Sequence, residues 1–195
     1  MKTSLVFIVI TYIVGSIPFG LLFSKIKGID IRKHGSGNIG ATNVARVIGK
    51  GWGLFTLLLD FLKGYLPIKL YLLYYAQGPS DPLPGVLGLF AVCGHCFSIF
   101  LKGRGGKGVA TAAGVFLAFS PKAFLAPVLI FIISVKLSGF VSVGSLLASA
   151  SAPISMHLNG ASPFIEPFLW LIVLVIWFQH RSNIKRLLSG KEMKI

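Results

Sequence analysis

Residues 4–23 read SLVFIVITYIVGSIPFGLLF, twenty positions without a charged side chain. A helix needs about 20 apolar residues to cross a bilayer, with about 17 as a lower limit. Six further apolar stretches follow at about 52–75, 84–101, 108–120, 122–136, 141–158 and 163–179. Backbone groups in lipid must find hydrogen bonds within their own segment, so these stretches predict helices. The expected fold is an all-α integral membrane protein, with residues 1–195 forming one transmembrane domain.

The composition agrees. Hydrophobic residues make up 54% of the 195 and charged residues 12%, against about 25% charged in ordinary soluble domains. Mean hydropathy is +0.82. Little positive charge precedes residue 4, and no small-residue cleavage site follows the first stretch. It reads as a retained helix, not a signal peptide.

Lys and Arg number 19, Asp and Glu only 5. Basic patches bind nucleic acid, but basic loops also hold a membrane protein's orientation. The distribution favours the second use, and no nucleic-acid partner is expected. Lys25, Lys27, Arg32, Lys33, Arg46 and Lys50 follow the first stretch. Lys102, Arg104 and Lys107 follow the third, and Arg181, Lys185, Arg186, Lys191 and Lys194 follow the last. Segments 76–83 and 159–162 contain neither Lys nor Arg.

The fourth and fifth stretches are short and separated by Pro121 alone, so they read as one crossing or two. Only two crossings return the basic tail to the cytoplasm. A bundle of about seven transmembrane helices results, N-terminus outside and C-terminus cytoplasmic. Lys122 on the outer side fits least well.

Several polar segments interrupt this pattern. Gly35, Gly37 and Gly40 match the spacing of a dinucleotide-binding loop, but no buried strand precedes them and Asp60 falls inside an apolar stretch. The physical content survives without that fold. Glycines admit an anion close to the backbone, and Ser36 or Asn38 is positioned to cap the next helix, whose N-terminus attracts anions. Arg46 can add a forked phosphate contact. The alternative is a capped interfacial helix whose Arg touches lipid headgroups.

Lys102-Gly-Arg-Gly-Gly-Lys107-Gly108 is a second cationic turn. It is not a Walker loop, because Gly108 stands where Ser or Thr is needed. It reads as a phosphate cradle or as a basic loop with a tight reversal. Asp60 and Lys63 stand three apart on one helical face, close enough to pair. Ionisable residues in a span are costly and often functional; a structural ion pair is the other reading. His180 and its basic surroundings, leaving the last stretch, suit either a substrate site or a snorkelling tail. Cys93 and Cys96 lack the βαβ context of a redox pair and an obvious matching pair of metal ligands, so no metal is expected.

The chain resembles the bacterial acyl-phosphate:glycerol-3-phosphate acyltransferases, the PlsY-type family. The resemblance rests on Gly15-Ser-Ile-Pro-Phe-Gly20, Gly35-Ser-Gly-Asn-Ile-Gly-Ala-Thr-Asn43 and Asp60-Phe-Leu-Lys-Gly64. It continues through Gly94-His95, Gly105-Gly-Lys-Gly-Val-Ala-Thr111 and His180-Arg-Ser-Asn-Ile-Lys-Arg-Leu187. Ser98 departs from the family's usual Pro, Arg104 from Lys, and Gly103 from an aromatic residue.

The resemblance implies transfer of a fatty acyl group from acyl-phosphate to the 1-hydroxyl of glycerol-3-phosphate. The products are lysophosphatidic acid and phosphate, an early step of phospholipid synthesis. Catalytic positions fall on Ser36, Arg46, Lys107, Ser142, His180 and Asn183. Gly35, Gly37, Asn38, Gly40, Thr42, Asn43, Gly105, Gly106 and Gly108 are the candidate phosphate-binding positions. The enzyme is expected in the bacterial inner membrane with its site facing the cytoplasm, active as a monomer among membrane lipids.

Acyl-phosphate is a mixed anhydride with a good leaving group, so no cofactor is demanded. The His with Asp five residues on, used by many glycerolipid acyltransferases, is absent: that position after each His holds Ile39, Phe100, Ser162 or Lys185. The alternative function is a transporter or exchanger of a phosphorylated solute. Transporters place polar groups near the midplane, often between inverted repeats; here they cluster at one face and no repeat is visible.

Overall fold

The computed structural model describes residues 2–194. Its helices are α1 (Lys2–Ser16), α2 (Phe19–Ile26), α3 (Ala41–Ile48), α4 (Lys50–Tyr74) and α5 (Leu83–Cys96). They continue with α6 (Val109–Phe119), α7 (Pro121–Ser138), α8 (Val141–Leu158), α9 (Glu166–Gln179) and α10 (Arg181–Leu188). Two 3-10 turns, Ile31–Lys33 and Ile99–Leu101, complete the described regular structure.

All seven expected stretches are helical, with three local differences. Pro18, which has no N–H to donate, divides the first into α1 and α2. The third gives way to a 3-10 turn after Cys96. The seventh begins at Glu166, with Pro167 in its first turn. Among the described residues, four segments are long and apolar enough to cross a membrane: Thr3–Ile26, Leu83–Leu101, Pro121–Ser138 and Val141–Leu158. α6 and α9 are shorter apolar helices. α4 spans about 37 Å at 1.5 Å per residue but carries Asp60, Lys63 and Lys69.

The fourth and fifth stretches are two helices. Ser120 between them is extended, and its Oγ accepts from Ala123 N at 3.2 Å, capping α7. Lys107 precedes α6 and Ser142 opens α8, yet both line one cavity. The chain must therefore leave that end along α6 and return along α7.

The same reasoning extends along the chain. Ser36 and Arg46 before α4, and His180 after α9, line that cavity too. At the opposite end Tyr71 Oη donates to Asp81, Ser162 Oγ donates to Pro79 O, and His157 meets Glu166 at 2.8 Å. Phe7 of α1 packs on Tyr71 and Tyr75 there, while Ser16 O at the other end of α1 accepts from Ser98. The helices thus run back and forth between two ends, and the catalytic candidates gather at one.

Small residues let these helices approach closely, as is usual where lipid supplies no hydrophobic drive between helices. A Cβ on Gly15 or Gly94 would strike the backbone across the α1–α5 contact, at Ala91 O and Tyr12 O. Gly64 and Gly114 play the same part between α4 and α6, against Thr111 O and Phe61 O. Leu87, Val92, Val115, Leu169 and Ile172 fill the core. Leu54, Leu58, Leu125, Leu129, Ile133 and Leu174 are exposed, as apolar side chains are where the surrounding solvent is lipid.

Candidate active site

A cavity of about 300 Å³ opens at the end where the polar segments meet. Ser36, Arg46, Lys107, Ser142, His180 and Asn183 all line it, although 147 residues separate the first from the last. Its far wall is apolar, made by Phe116 of α6, Phe124, Pro127, Val128 and Phe131 of α7, and Ala148 and Ala152 of α8. One cavity therefore joins a cationic mouth to a greasy slot.

The 31–40 loop is built around one side chain. Asn43 Nδ2 donates to Asn38 O at 2.9 Å and His34 O at 3.0 Å, while its Oδ1 accepts from Ser36 N at 2.9 Å. Gly35, at φ +57°, leaves room for that amide; a Cβ there would collide with Asn43 Oδ1.

This arrangement changes the expected division of labour. Neither Ser36 nor Asn38 caps α3; Gly40 does, with no side-chain bond. The N–H groups of Ser36, Gly37, Asn38 and Gly40 are spent on Asn43, His34 O, Ser36 Oγ and Asn38 Oδ1. Gly35, Gly37 and Asn43 thus shape the loop. What remains for an anion is the open first turn of α3, where Ala41 and Thr42 line the cavity, together with Arg46. Arg46 is exposed and makes no salt bridge among the described residues.

The 102–108 turn is anchored similarly. Gly105 N and Gly106 N donate to Cys96 O and His95 O, each at 3.0 Å. Gly106 lies against the His95 ring with no space for a Cβ. Both glycines dock the turn on α5, whereas Gly108, the cap of α6, reaches the cavity wall. Ser98, standing where the family pattern has Pro, is buried and donates to Ser16 O at 2.6 Å. That bond ties the start of the turn to α1.

Burial lowers the Lys107 ammonium to about 8, with Arg186 and Arg46 adding to the shift and Glu192 opposing it. His180 caps α9 and is buried. Its Nδ1 meets Ile176 O at 2.8 Å; since a carbonyl only accepts, Nδ1 carries the hydrogen and Nε2 has the free lone pair. Burial pushes the ring down to about 4, the bond to Ile176 opposing and the Lys107 charge reinforcing the shift. At neutral pH His180 is an uncharged acceptor.

One residue that the sequence did not single out completes the site. Glu192, beyond α10, lines the cavity and accepts from Ser142 Oγ at 3.0 Å, from Asn183 Nδ2, and from Arg186 Nε at 2.7 Å. Burial raises its pKa, but the bonds from Asn183, Arg186 and Ser142 outweigh that and hold the carboxyl below its ordinary value. No spacing rule joins Glu192 to Ser142. The one signal was an acid alone in a basic tail. Asp60 and His95 also reach the cavity wall. No cluster of three or more His, Cys, Asp or Glu able to hold a metal occurs among the described residues.

Comparison with known proteins places this geometry. A family model of glycerol-3-phosphate acyltransferases matches residues 5–190. A glycerol-3-phosphate acyltransferase of Trichlorobacter lovleyi is 46% identical over 194 residues, 100% of this chain and 98% of that one. One from Desulfotalea psychrophila is 48% identical over 188 residues, covering 96% and 95%. The crystal structure of PlsY (YgiH), an integral membrane glycerol 3-phosphate acyltransferase, is similar in its glycerol 3-phosphate form. The TM-score is 0.95 at 37% identity, over 99% of this chain and 96% of that one. Its lysophosphatidic acid form gives a TM-score of 0.92, covering 99% and 95%.

Proposed function

Because the chain belongs to the glycerol-3-phosphate acyltransferase family, we propose that it transfers a fatty acyl group from acyl-phosphate to the 1-hydroxyl of glycerol-3-phosphate. The observation that carries this reading is the single cavity joining Arg46, Lys107 and His180 to the apolar slot between α6, α7 and α8. A phosphate monoester suits the first part and a fatty chain the second. The solved relative in its glycerol 3-phosphate and lysophosphatidic acid forms supports the same pairing of ligands.

Arg46 and Lys107, with the first turn of α3, hold phosphate oxygens. Ser36 hydrogen-bonds substrate at the rim. His180 Nε2 accepts from the 1-hydroxyl and Asn183 and Ser142 orient the glycerol unit. The hydroxyl oxygen forms its bond to the acyl carbon, the bond from that carbon to the phosphate oxygen breaks, and the proton leaves with phosphate. With its pKa near 4, His180 orients the hydroxyl far better than it retains the proton. An already activated donor needs no cofactor for this step. A cavity assembled within one chain supports activity as a monomer.

The basic loops at the cavity end support a site facing the cytoplasm and an N-terminus outside a bacterial inner membrane, with seven crossings. Cysteines substituted at Ser36 and Lys107 should resist impermeant reagents applied outside intact cells; labelling there would reverse the orientation. The activity is tested with purified protein, acyl-phosphate and glycerol-3-phosphate. Time-dependent formation of lysophosphatidic acid and phosphate is expected. Binding without turnover, or solute flux across liposomes, would instead favour a transporter.

A further inference from the structure

Glu192 joins groups that the chain brings from far apart. Gly190, at φ +68°, turns the chain after α10, and Lys191 N donates back to Arg186 O at 2.8 Å. Glu192 then points into the cavity, and Lys194 lies over the Phe140 ring at 5.7 Å, beside the start of α8. The Glu192 side chain is 6% exposed.

The hydrogen-bond polarity of this cluster follows from elementary chemistry. Arg186 Nε can only donate, so the carboxylate it meets is ionised and can only accept. Ser142 Oγ must therefore spend its one hydrogen on Glu192, keeping lone pairs for the cavity. Asn183 must present Nδ2 to the carboxylate, because an amide oxygen there would face a like charge. The other end of that amide, Oδ1, is covered and receives no donor among the described residues. A buried acceptor without a donor is unfavourable.

We propose that Glu192 is a positioning residue that turns Ser142 and Asn183 into a pair of acceptors reading the secondary hydroxyl of glycerol-3-phosphate. This rests on glycerol-3-phosphate binding in the cavity as described above. A phosphate oxygen is itself an acceptor and suits neither atom, whereas a hydroxyl donates to either. His180 Nε2 takes the reacting primary hydroxyl, and the secondary hydroxyl falls to the Ser142–Asn183 pair. Phosphate is left to Arg46, Lys107 and the first turn of α3.

The test compares two acceptors, glycerol-3-phosphate and 1,3-propanediol monophosphate, which lacks only the secondary hydroxyl. A site built to bond a hydroxyl discriminates strongly against an analogue without it. Both acceptors carry the same phosphate, so the ratio of their kcat/KM values cancels any change in the site's charge.

In Glu192→Gln the new amide both donates and accepts, so Ser142 or Asn183 is freed to reverse. The ratio should fall at least tenfold, while Glu192→Asp, still an acceptor only, keeps most of it. Ser142→Ala removes one acceptor without touching the tail and should lower the ratio also. An unchanged ratio in Glu192→Gln overturns the proposal. Should that variant fail to fold, an unchanged ratio in Ser142→Ala does so. A wild-type protein that makes no product from glycerol-3-phosphate instead defeats the functional reading on which the proposal stands.

Discussion

Lys63 Nζ lies 2.7 Å from Asp60 Oδ1, with both side chains 3% exposed, one turn apart on α4. Lys63 also donates to Ile17 O at 2.8 Å, just before the break between α1 and α2. His95 Nδ1 is 3.6 Å from the same Asp60 oxygen. The pair anchors α4 to the first stretch and sits beneath the His95 ring that supports Gly106. Deleting one partner of a buried ion pair leaves an uncompensated charge, at about 3–5 kcal/mol, whereas replacing both by apolar residues is often neutral. Asp60→Ala and Lys63→Met should each lower Tm in detergent sharply, and an apolar double variant should recover much of the loss. Additive losses would mean that the two charges are not coupled.

Arg46→Ala and Lys107→Ala should each cut kcat/KM by at least tenfold without unfolding the protein. A lost hydrogen bond to a charged group is worth about 1.5–3 kcal/mol, and a tenfold rate change is about 1.4 kcal/mol. Near-wild-type kinetics in either variant would remove that cation from the phosphate site.

Lys107 also sets an alkaline limit. Its pKa is lowered to about 8, chiefly by burial, so its positive charge is present below that pH and lost as pH rises through it. Turnover should decline above about pH 8. In Lys107→Arg, whose guanidinium stays charged, the decline should move to higher pH even if the maximum rate is lower. An identical alkaline limb in both proteins would assign the limb to another group.

No acyl-enzyme should form. Ser142 donates to Glu192, a carboxylate tied to Arg186 and Asn183 and thereby too weak a base to activate it. Ser36 makes no hydrogen bond to a His side chain among the described residues; its Oγ accepts from Asn38 N. Neither serine has the base and orienter that a nucleophile needs. Mass spectrometry of protein quenched with acyl-phosphate alone should find unmodified serines. An adduct that forms and discharges as fast as turnover would replace direct transfer by a two-step route.

The apolar slot predicts control of chain length. Ala148 and Ala152 of α8 line it together with Phe124 and Phe131 of α7. Ala148→Phe adds a ring inside a close-packed wall, and overpacking of this kind is resolved by excluding the occupant or shifting the backbone. Donors with sixteen carbons should lose at least tenfold in rate relative to those with eight. Equal losses for both lengths would place the acyl chain elsewhere.

Much was legible in the chain because membrane helices are specified locally. A segment in lipid satisfies its own backbone, so apolar length marked the helical stretches, while loop charge was needed to read the fourth and fifth as two crossings and to indicate which ends lie together. The pairing of Asp60 with Lys63 was likewise readable, since residues three apart on a helix are neighbours whatever surrounds them.

The tertiary structure decided what depends on distant segments meeting. Asn43 takes the Ser36 N–H and binds the His34 and Asn38 carbonyls, and the loop this shapes spends on itself further N–H groups that spacing offered to phosphate. The reversal at Ser120, which loop charge had only implied, shows in Lys107 and Ser142 sharing a wall. Glu192 binds Asn183 and Arg186 at separations that follow no helical or strand period, so nothing announced it. Its meaning comes from Ser142, 50 positions earlier, through a contact that only the packing of α8 against the end of the bundle creates.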